Sequence, residues 1–273
     1  MNYKKLLDEV IQELGAERYE KAAILATGDV ETKAFRSVTE SAYYRTSAIK
    51  KLKQFKHMSK DEIASKFSTS SKGVIKRKDS QGNYVSLKKG EKLSKEEIKN
   101  RQKAFLNIYY ADANRGRSSR LGNTQEGDGW KFRGRGLFQI TGRELYSKLS
   151  KDLFPENPNK LLDNPDLLST DKDVIKRAAK WYWNTKARSK LSDFSDMNKV
   201  TEIVNKYTPS KKRRNILFNK YFENERTKVK DLNKVLDSAL ELKEEKPIDR
   251  QQEKINNIML NISPEDTVRF GRQ

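Results

Sequence analysis

The segment from residue 126 to 143, EGDGWKFRGRGLFQITGR, constrains this chain more than any other part of it. Four glycines stand at alternating or nearly alternating positions, Gly127, Gly129, Gly134 and Gly136. Each glycine in a helix interior costs about 1 kcal/mol relative to alanine, so a routine helix is excluded. The pattern suits a tight extended loop whose backbone closely approaches a ligand or another segment of the chain.

The side chains between these glycines are rings, guanidinium groups and an amide, which are groups that hold a sugar or a nucleotide. They are Trp130, Phe132, Arg133, Arg135 and Gln139. The segment lacks the Gly-Lys-Ser/Thr ending of a phosphate-binding loop. Its Leu-Phe-Gln-Ile continuation indicates folded structure rather than a loose Arg-Gly segment that binds nucleic acid.

Charge and composition narrow the classes of protein. The 273 residues include 58 Lys and Arg against 38 Asp and Glu, a net charge of +20 that favours an anionic partner: nucleic acid, membrane or cell-wall polymer. With no cysteine and only His57, disulfides, thiolate nucleophiles and multi-histidine metal sites are excluded. No apolar run reaches the roughly 20 residues of a membrane span, and we expect no secretory signal at the N-terminus.

Hydrophobic periodicity predicts a mostly helical chain, with helices over 3–14, 16–31, 39–53, 172–185 and 227–245. Each of these segments repeats apolar residues at the three- and four-residue spacing of one helix face. The chain is therefore expected to bury its helices against one another in a compact domain.

The segment 51–103 departs from this pattern and carries half of the excess charge, with 16 Lys and Arg against 6 Asp and Glu. Alternating arms around an Asp79–Gly82 turn predict a β-hairpin over 74–87, with helices starting near Lys60 and Ser94. We interpret 51–103 as a basic insertion in the helical domain.

The segment 126–143 resembles the Gly-Asp-Gly-Trp-x-Tyr-x-Gly-Arg-Gly-x-x-Gln-Ile-Thr-Gly-Arg signature of glycoside hydrolase family 19, a chitinase-like family of the lysozyme superfamily that includes many phage endolysins. Other landmarks follow in the family's order: Leu121–Asn123, Asn164–Leu168, Trp181–Trp183 and a strand-like Val200–Asn205.

The resemblance implies a mainly α, lysozyme-like domain over residues 1–222. Such a domain has two lobes, a small β-hairpin element and a central substrate cleft. Residues 223–273 would then form a C-terminal helix that ends in a polar tail over 246–273.

The resemblance also implies inverting hydrolysis by two carboxyl groups about 6.5–9.5 Å apart. Glu31 matches the family's general acid, and Glu40, nine residues on, matches the general base. Thr141 stands at the Ser/Thr position that helps hold the attacking water. An acid must keep its proton near neutral pH, so we expect Glu31 to be partly desolvated and Glu40 to be ionised and better solvated. This chemistry requires no metal and no organic cofactor.

Substrate contacts carry over by resemblance to Gln139, Tyr44, Asn205 and Trp130. For Trp130 a buried loop anchor is an equal alternative to a sugar platform. Arg133 and Arg135 are expected to brace the loop and nearby carboxylates, and Trp181 and Trp183 to lie in the core.

The chain departs from the family pattern at a few positions. Val30 replaces a histidine, Lys33 and Ala34 replace two glycines, and Leu145 stands where asparagine is common. These changes leave open a non-catalytic homologue that only binds the cell wall.

Chitin and peptidoglycan both contain β-1,4-linked N-acetylated sugars, and the signature does not separate them. The absence of cysteine and the positive charge favour anionic peptidoglycan, so we expect an endolysin that cleaves its glycan strands. We also expect contacts with anionic envelope polymers or lipopolysaccharide, no specific nucleic acid partner, a monomer, and synthesis in the cytoplasm with action at the wall after release. The alternatives are a chitinase of the same family and a non-catalytic basic protein that binds wall or nucleic acid.

Overall fold

A computed structural model describes residues 1–70, 74–88, 90–206 and 208–244, with side chains described as far as residue 235. The chain divides into two compact units, Met1–Phe218 and Asn219–Gln273. The tail predicted over 246–273 lies outside the described residues. In the part that is described, no helix combines the length and the apolar character needed to cross a membrane.

Helices dominate the described chain, and its strands form a single two-stranded hairpin. The helices are α1 Tyr3–Leu14, α2 Arg18–Glu31, α3 Thr46–Lys50, α4 Lys60–Lys66, α5 Lys95–Tyr110, α6 Asp128–Lys131, α7 Arg143–Leu153, α8 Lys160–Asp163, α9 Leu167–Thr170, α10 Lys172–Trp183, α11 Met197–Asn205 and α12 Lys211–Glu244. Strands β1 Lys76–Lys78 and β2 Tyr84–Ser86 pair antiparallel. The mainly α fold class is confirmed.

The predicted helices over 3–14, 16–31 and 172–185 are confirmed as α1, α2 and α10. Helix α1 contacts both of the others. The apolar residues that gave its periodicity, Leu6, Leu7, Val10, Ile11 and Leu14, form its buried face. The predicted helix 227–245 is the second half of the longer α12.

The predicted helix over 39–53 is wrong in its first half. Residues 38–40 are extended and form hydrogen bonds with the glycine-rich loop, which is the part of segment 126–143 that contains Gly134 and Gly136. Gly136 N donates to Val38 O (2.8 Å), and Glu40 N donates to Gly134 O (2.8 Å). Helical structure begins only at Thr46. These long-range backbone hydrogen bonds replace the local bonds that a helix would have made.

The basic segment 51–103 contains the predicted hairpin, with Arg77 opposite Val85. Its helices begin where Ser59 and Ser94 cap them, and Ser94 forms a capping box with Glu97. The segment also has a hydrophobic cluster that it shares with α5 and, at its edge, Trp130. The buried members of this cluster are Ala42, Ile49, Phe55, Met58, Ile63, Phe67, Phe105 and Leu106.

The segment Val200–Asn205, expected to be strand-like, is helical. It forms most of α11, which begins after Asp196, whose carboxylate accepts from the amides of Asn198 and Lys199. Met197, Val200 and Thr201 are its buried residues, at the helical spacing of one face. The last residue of α11, Asn205, is one of the predicted site residues.

Candidate active site

A left-handed turn separates the two candidate carboxylates. Glu31 is the last residue of α2, and Lys33, Ala34 and Phe35 follow with φ of 53°, 60° and 60°. Thr32 holds this turn, because its hydroxyl donates to Gly28 O (2.6 Å) and accepts from Phe35 N (2.9 Å). Two of the three left-handed residues, Lys33 and Ala34, stand where the resemblance places glycines, and glycine adopts this conformation without strain.

Glu31 lies against a buried cation. Its Oε1 forms an ion pair with the Arg214 guanidinium and accepts a hydrogen bond from Asn205 Nδ2 (3.4 Å). The Glu31 side chain is 18% exposed and that of Arg214 is fully buried. Within the described part of the chain, Arg214 Nε and Nη1 are buried and have no hydrogen-bond partner. Glu31 is therefore the carboxylate towards which Arg214 is directed.

Glu40 has a donor on each carboxylate oxygen. The Tyr110 hydroxyl donates to Oε1 (2.8 Å), and Gly134 N donates to Oε2 (3.0 Å). Burial raises the pKa of Glu40, although these two donors and the charges of Arg133 and Lys33 act to lower it. The expectation that Glu40 is better solvated is therefore wrong, because the Gly134 peptide and the Tyr110 hydroxyl lie against its carboxylate and burial raises its pKa.

Thr141 and Gln139 lie beside the peptide that holds Glu40. A Cβ atom at Gly134 would lie 2.7 Å from Gln139 Oε1 and 3.2 Å from Thr141 Oγ1, so only glycine leaves both side chains room there. Thr141 Oγ1 donates to Gln139 O (2.9 Å), and its lone pairs remain able to accept. The structure thus brings together Glu40, Gln139 and Thr141.

The two arginines of the signature brace the loop, as expected. Arg135 is 1% exposed, binds Asp166 through Nε (2.9 Å) and Nη2 (2.6 Å), and donates to the Tyr146 hydroxyl (3.0 Å). Arg133 lies over the Trp130 ring, 3.9 Å from its centroid, and burial lowers the pKa of Arg133 to about 10. Of the two alternatives for Trp130, these contacts favour the loop anchor.

Tyr44 lies near Glu40 and keeps part of its ring in solvent. It is 39% exposed, and burial together with the negative charge of Glu40 raises its pKa. Its ring centroid lies 5.1 Å from that of Phe105. The site therefore has two groups of side chains, Asn205 and Arg214 around Glu31, and Tyr44, Tyr110, Gln139 and Thr141 around Glu40.

The sequence analysis missed Tyr110 and Arg214. Tyr110 ends α5 just before the Leu121–Asn123 landmark, but a tyrosine there has no pattern that points to a carboxylate. Arg214 belongs to the basic run Lys211–Arg214, where only its spacing of four from the buried Phe218 distinguishes it from its exposed neighbours. The expected core position holds for Trp183, which is fully buried, whereas Trp181 is only partly buried.

The mainly helical fold, with the Glu40 carboxylate held by the glycine-rich segment 126–143, agrees with the lysozyme-like fold that the resemblance implies. Residues 104–217 match the model of glycoside hydrolase family 19, which is described as chitinase class I. This stretch of the chain is therefore similar to glycoside hydrolase family 19. Gln139, Thr141, Trp130 and Asn205 lie in the matched stretch, and Glu31, Glu40 and Tyr44 precede it.

Two curated proteins are similar to parts of this chain, and their names are consistent with the same family. A glycosyl hydrolase family 19 domain-containing protein of Haemophilus influenzae is 37% identical over 99 residues, which are 34% of this chain and 43% of the relative. Acidic endochitinase Q of Nicotiana tabacum is 32% identical over 80 residues, 29% of this chain and 28% of the relative. The aligned stretches thus span less than half the length of either relative.

Proposed function

We propose that this domain hydrolyses β-1,4 bonds of an N-acetylated glycan with inversion, with Glu31 as general acid and Glu40 as general base. The observation that carries the proposal is the setting of Glu40. The amide of Gly134, in the family signature, donates to its carboxylate, while the Thr141 hydroxyl lies against the same glycine. A carboxylate and a hydroxyl so placed can together hold a water molecule for attack.

The proposed reaction runs between the two groups of side chains. Glu31 gives its proton to the glycosidic oxygen as the bond to the sugar breaks, and Glu40 takes a proton from the attacking water. The proton donor is therefore the protonated form of Glu31, and the carboxylate left after proton transfer is the form that pairs with the Arg214 guanidinium in the structure. The Tyr110 hydroxyl and the Gly134 amide hold Glu40 in one orientation throughout.

For the substrate we propose the glycan strand of peptidoglycan, with the protein acting as an endolysin at the wall after release from the cell that makes it. The net charge of +20 supports this choice, because peptidoglycan carries peptide carboxylates whereas chitin is neutral. The name of the tobacco relative, acidic endochitinase Q, makes chitin the second candidate.

The experiment compares the unaltered chain with Glu31→Gln and Glu40→Gln on purified Gram-negative sacculi and on chitin hexamer. Each substitution should lower the rate by about 10²–10⁴-fold, the usual contribution of one general acid or base. Glu126→Gln, an exposed glutamate of the same signature, is the matched control and should keep full activity.

Mass spectrometry of reduced fragments identifies the sugar at each new end, and NMR of fresh products identifies the anomer. The α-anomer formed first supports inversion, and the β-anomer formed first contradicts it. Cleavage of chitin hexamer without cleavage of sacculi would select the chitinase. Folded protein that binds sacculi and cleaves neither substrate would make the chain a non-catalytic wall-binding homologue.

A further inference from the structure

A shallow depression of about 340 Å³ lies between α7 and the end of α10, outside the two groups of candidate catalytic side chains. Its lining includes Trp181, Asp152, Lys151, Lys186 and Leu145. Trp181 is the tryptophan that the sequence assigned to the core and that the structure leaves partly exposed.

The indole ring in this depression is held in place. Trp181 Nε1 donates to Asp152 Oδ2 at 2.5 Å, which ties the ring of α10 to a carboxylate of α7. A ring fixed in this way loses little conformational freedom when a ligand stacks on it. The flat face of an aromatic ring suits the apolar face of a sugar, and its single polar atom is already occupied.

Two ammonium groups beside the Trp181 ring are available to bind an anion. Among the side chains that the structure describes, the ammonium groups of Lys151 and Lys186 have no ion-pair partner. By contrast, Lys148, which lines the same depression, is paired with Glu144 at 2.6 Å. Unpaired ammonium groups next to a fixed ring favour a ligand that has both a sugar ring and a carboxylate.

We propose that this depression is a second binding site for an anionic N-acetylated glycan, with a sugar ring on Trp181 and a carboxylate of the attached lactyl-peptide at Lys151 and Lys186. The assignment rests on the proposed function for the substrate class. Leu145 lies four residues after Thr141, and the stretch from Leu145 to Asp152 covers about 10 Å at 1.5 Å per residue of helix. A strand that leaves the candidate active site along α7 would therefore reach the ring.

A second depression on the protein provides a control for the effect of charge alone. This depression, of about 310 Å³, is lined by Lys5, Lys172 and Lys176 but by no aromatic residue. Of these, Lys176 is paired with Glu9 (3.0 Å). Lys5→Glu with Lys172→Glu therefore changes the net charge as much as Lys151→Glu with Lys186→Glu, without touching the ring.

The test measures sedimentation of the full chain with Gram-negative sacculi, in a Glu31→Gln background so that the glycan stays intact. Trp181→Ala and the Lys151/Lys186 pair should each weaken binding roughly tenfold, and the Lys5/Lys172 pair less than about twofold. On sacculi whose carboxylates have been converted to neutral amides with a carbodiimide and excess glycinamide, the Lys151/Lys186 pair should lose its effect while Trp181→Ala keeps it.

Equal weakening by the two lysine pairs would overturn the site, because general charge would then explain the binding. So would unchanged binding by the Lys151/Lys186 pair, whose exposed or partly exposed side chains can be replaced without disturbing the fold. Hydrolysis of sacculi by the chain with Glu31 intact is measured in parallel. Its absence would contradict the proposed function, while the binding comparison would still decide the second site.

Discussion

The two candidate carboxylates differ in what holds them. Glu31 forms an ion pair with the buried Arg214, whereas Glu40 accepts from a neutral hydroxyl and a backbone amide. Burial raises the pKa of Glu40, so a base in this setting depends on its donors to stay ionised. Tyr110 supplies one of these donors, and a substitution of Tyr110 alone measures how much its hydroxyl lowers the pKa of Glu40.

Tyr110→Phe should move the acidic limb of the pH–activity profile to higher pH. The Tyr110 hydroxyl lowers the pKa of Glu40, so its removal raises that pKa and leaves less ionised base at a given acidic pH. The measurement is kcat/KM on a soluble glycan oligomer as a function of pH. Tyr109→Phe, a ring stacked on Phe105 at 5.4 Å, is the matched control and should leave the limb in place. A limb that moves to lower pH, or that moves equally in both variants, would contradict this role.

At the scale of elements, the turn after Glu31 is the least favourable piece of backbone near the site. Lys33, Ala34 and Phe35 are all left-handed, a conformation in which a non-glycine residue costs about 1–3 kcal/mol. The same turn lies between Glu31 and Glu40 in the chain, and Lys33 Nζ donates to Ser41 Oγ (2.7 Å). The strain is therefore stored in the segment of chain that connects the two candidate carboxylates.

Ala34→Gly should raise the free energy of unfolding by about 1 kcal/mol, because glycine adopts a positive φ without the clash that Cβ causes. For a chain of this size that is roughly 2–4 °C in Tm. Ala48→Gly, at an exposed position in α3, should instead lower the free energy of unfolding by about 1 kcal/mol. Calorimetry of both variants checks the pair, and an equal loss of stability in both would show that the turn is not strained at Ala34.

The elements also show what a sequence can predict. Helices α1, α2 and α10 and the hairpin were predictable because periodicity, caps and the Asp79–Gly82 turn are local signals. The extended segment at Glu40 was not predictable, because its conformation depends on hydrogen bonds to Gly134 and Gly136 almost 100 residues away.

The candidate site divides in the same way. The family signature indicated Gln139 and Thr141, which the fold places beside the peptide that holds Glu40. Arg214 and Tyr110 could be identified only from the folded chain, in which each of them contacts one of the two carboxylates. Tyr110 contacts Glu40, and Arg214 contacts Glu31, across long stretches of chain, so no local pattern links either residue to its carboxylate.

At the scale of the whole molecule, the positive charge is only partly neutralised within the chain. In the segment 51–103, Lys76 is paired with Asp61 (2.8 Å), and Arg77 contacts both Glu91 and Glu97. These pairs account for much of the acid in a segment whose Lys and Arg outnumber its Asp and Glu by 16 to 6. The excess remains for a partner, and this is the charge on which the proposal of an anionic wall polymer rests.

Binding to sacculi should therefore weaken steeply with salt, because the Debye length falls from about 10 Å at 0.1 M to about 3 Å at 1 M ionic strength. Binding of chitin hexamer should change little, because a neutral oligomer gains nothing from long-range charge. The measurement is the affinity of the Glu31→Gln chain for each ligand across a NaCl series. Equal salt dependence for both ligands would assign the charge a role other than wall attraction. A steep salt dependence for sacculi alone would instead show that the positive charge attracts the protein to the wall. Recognition of the sugar would then belong to the site around Glu31 and Glu40.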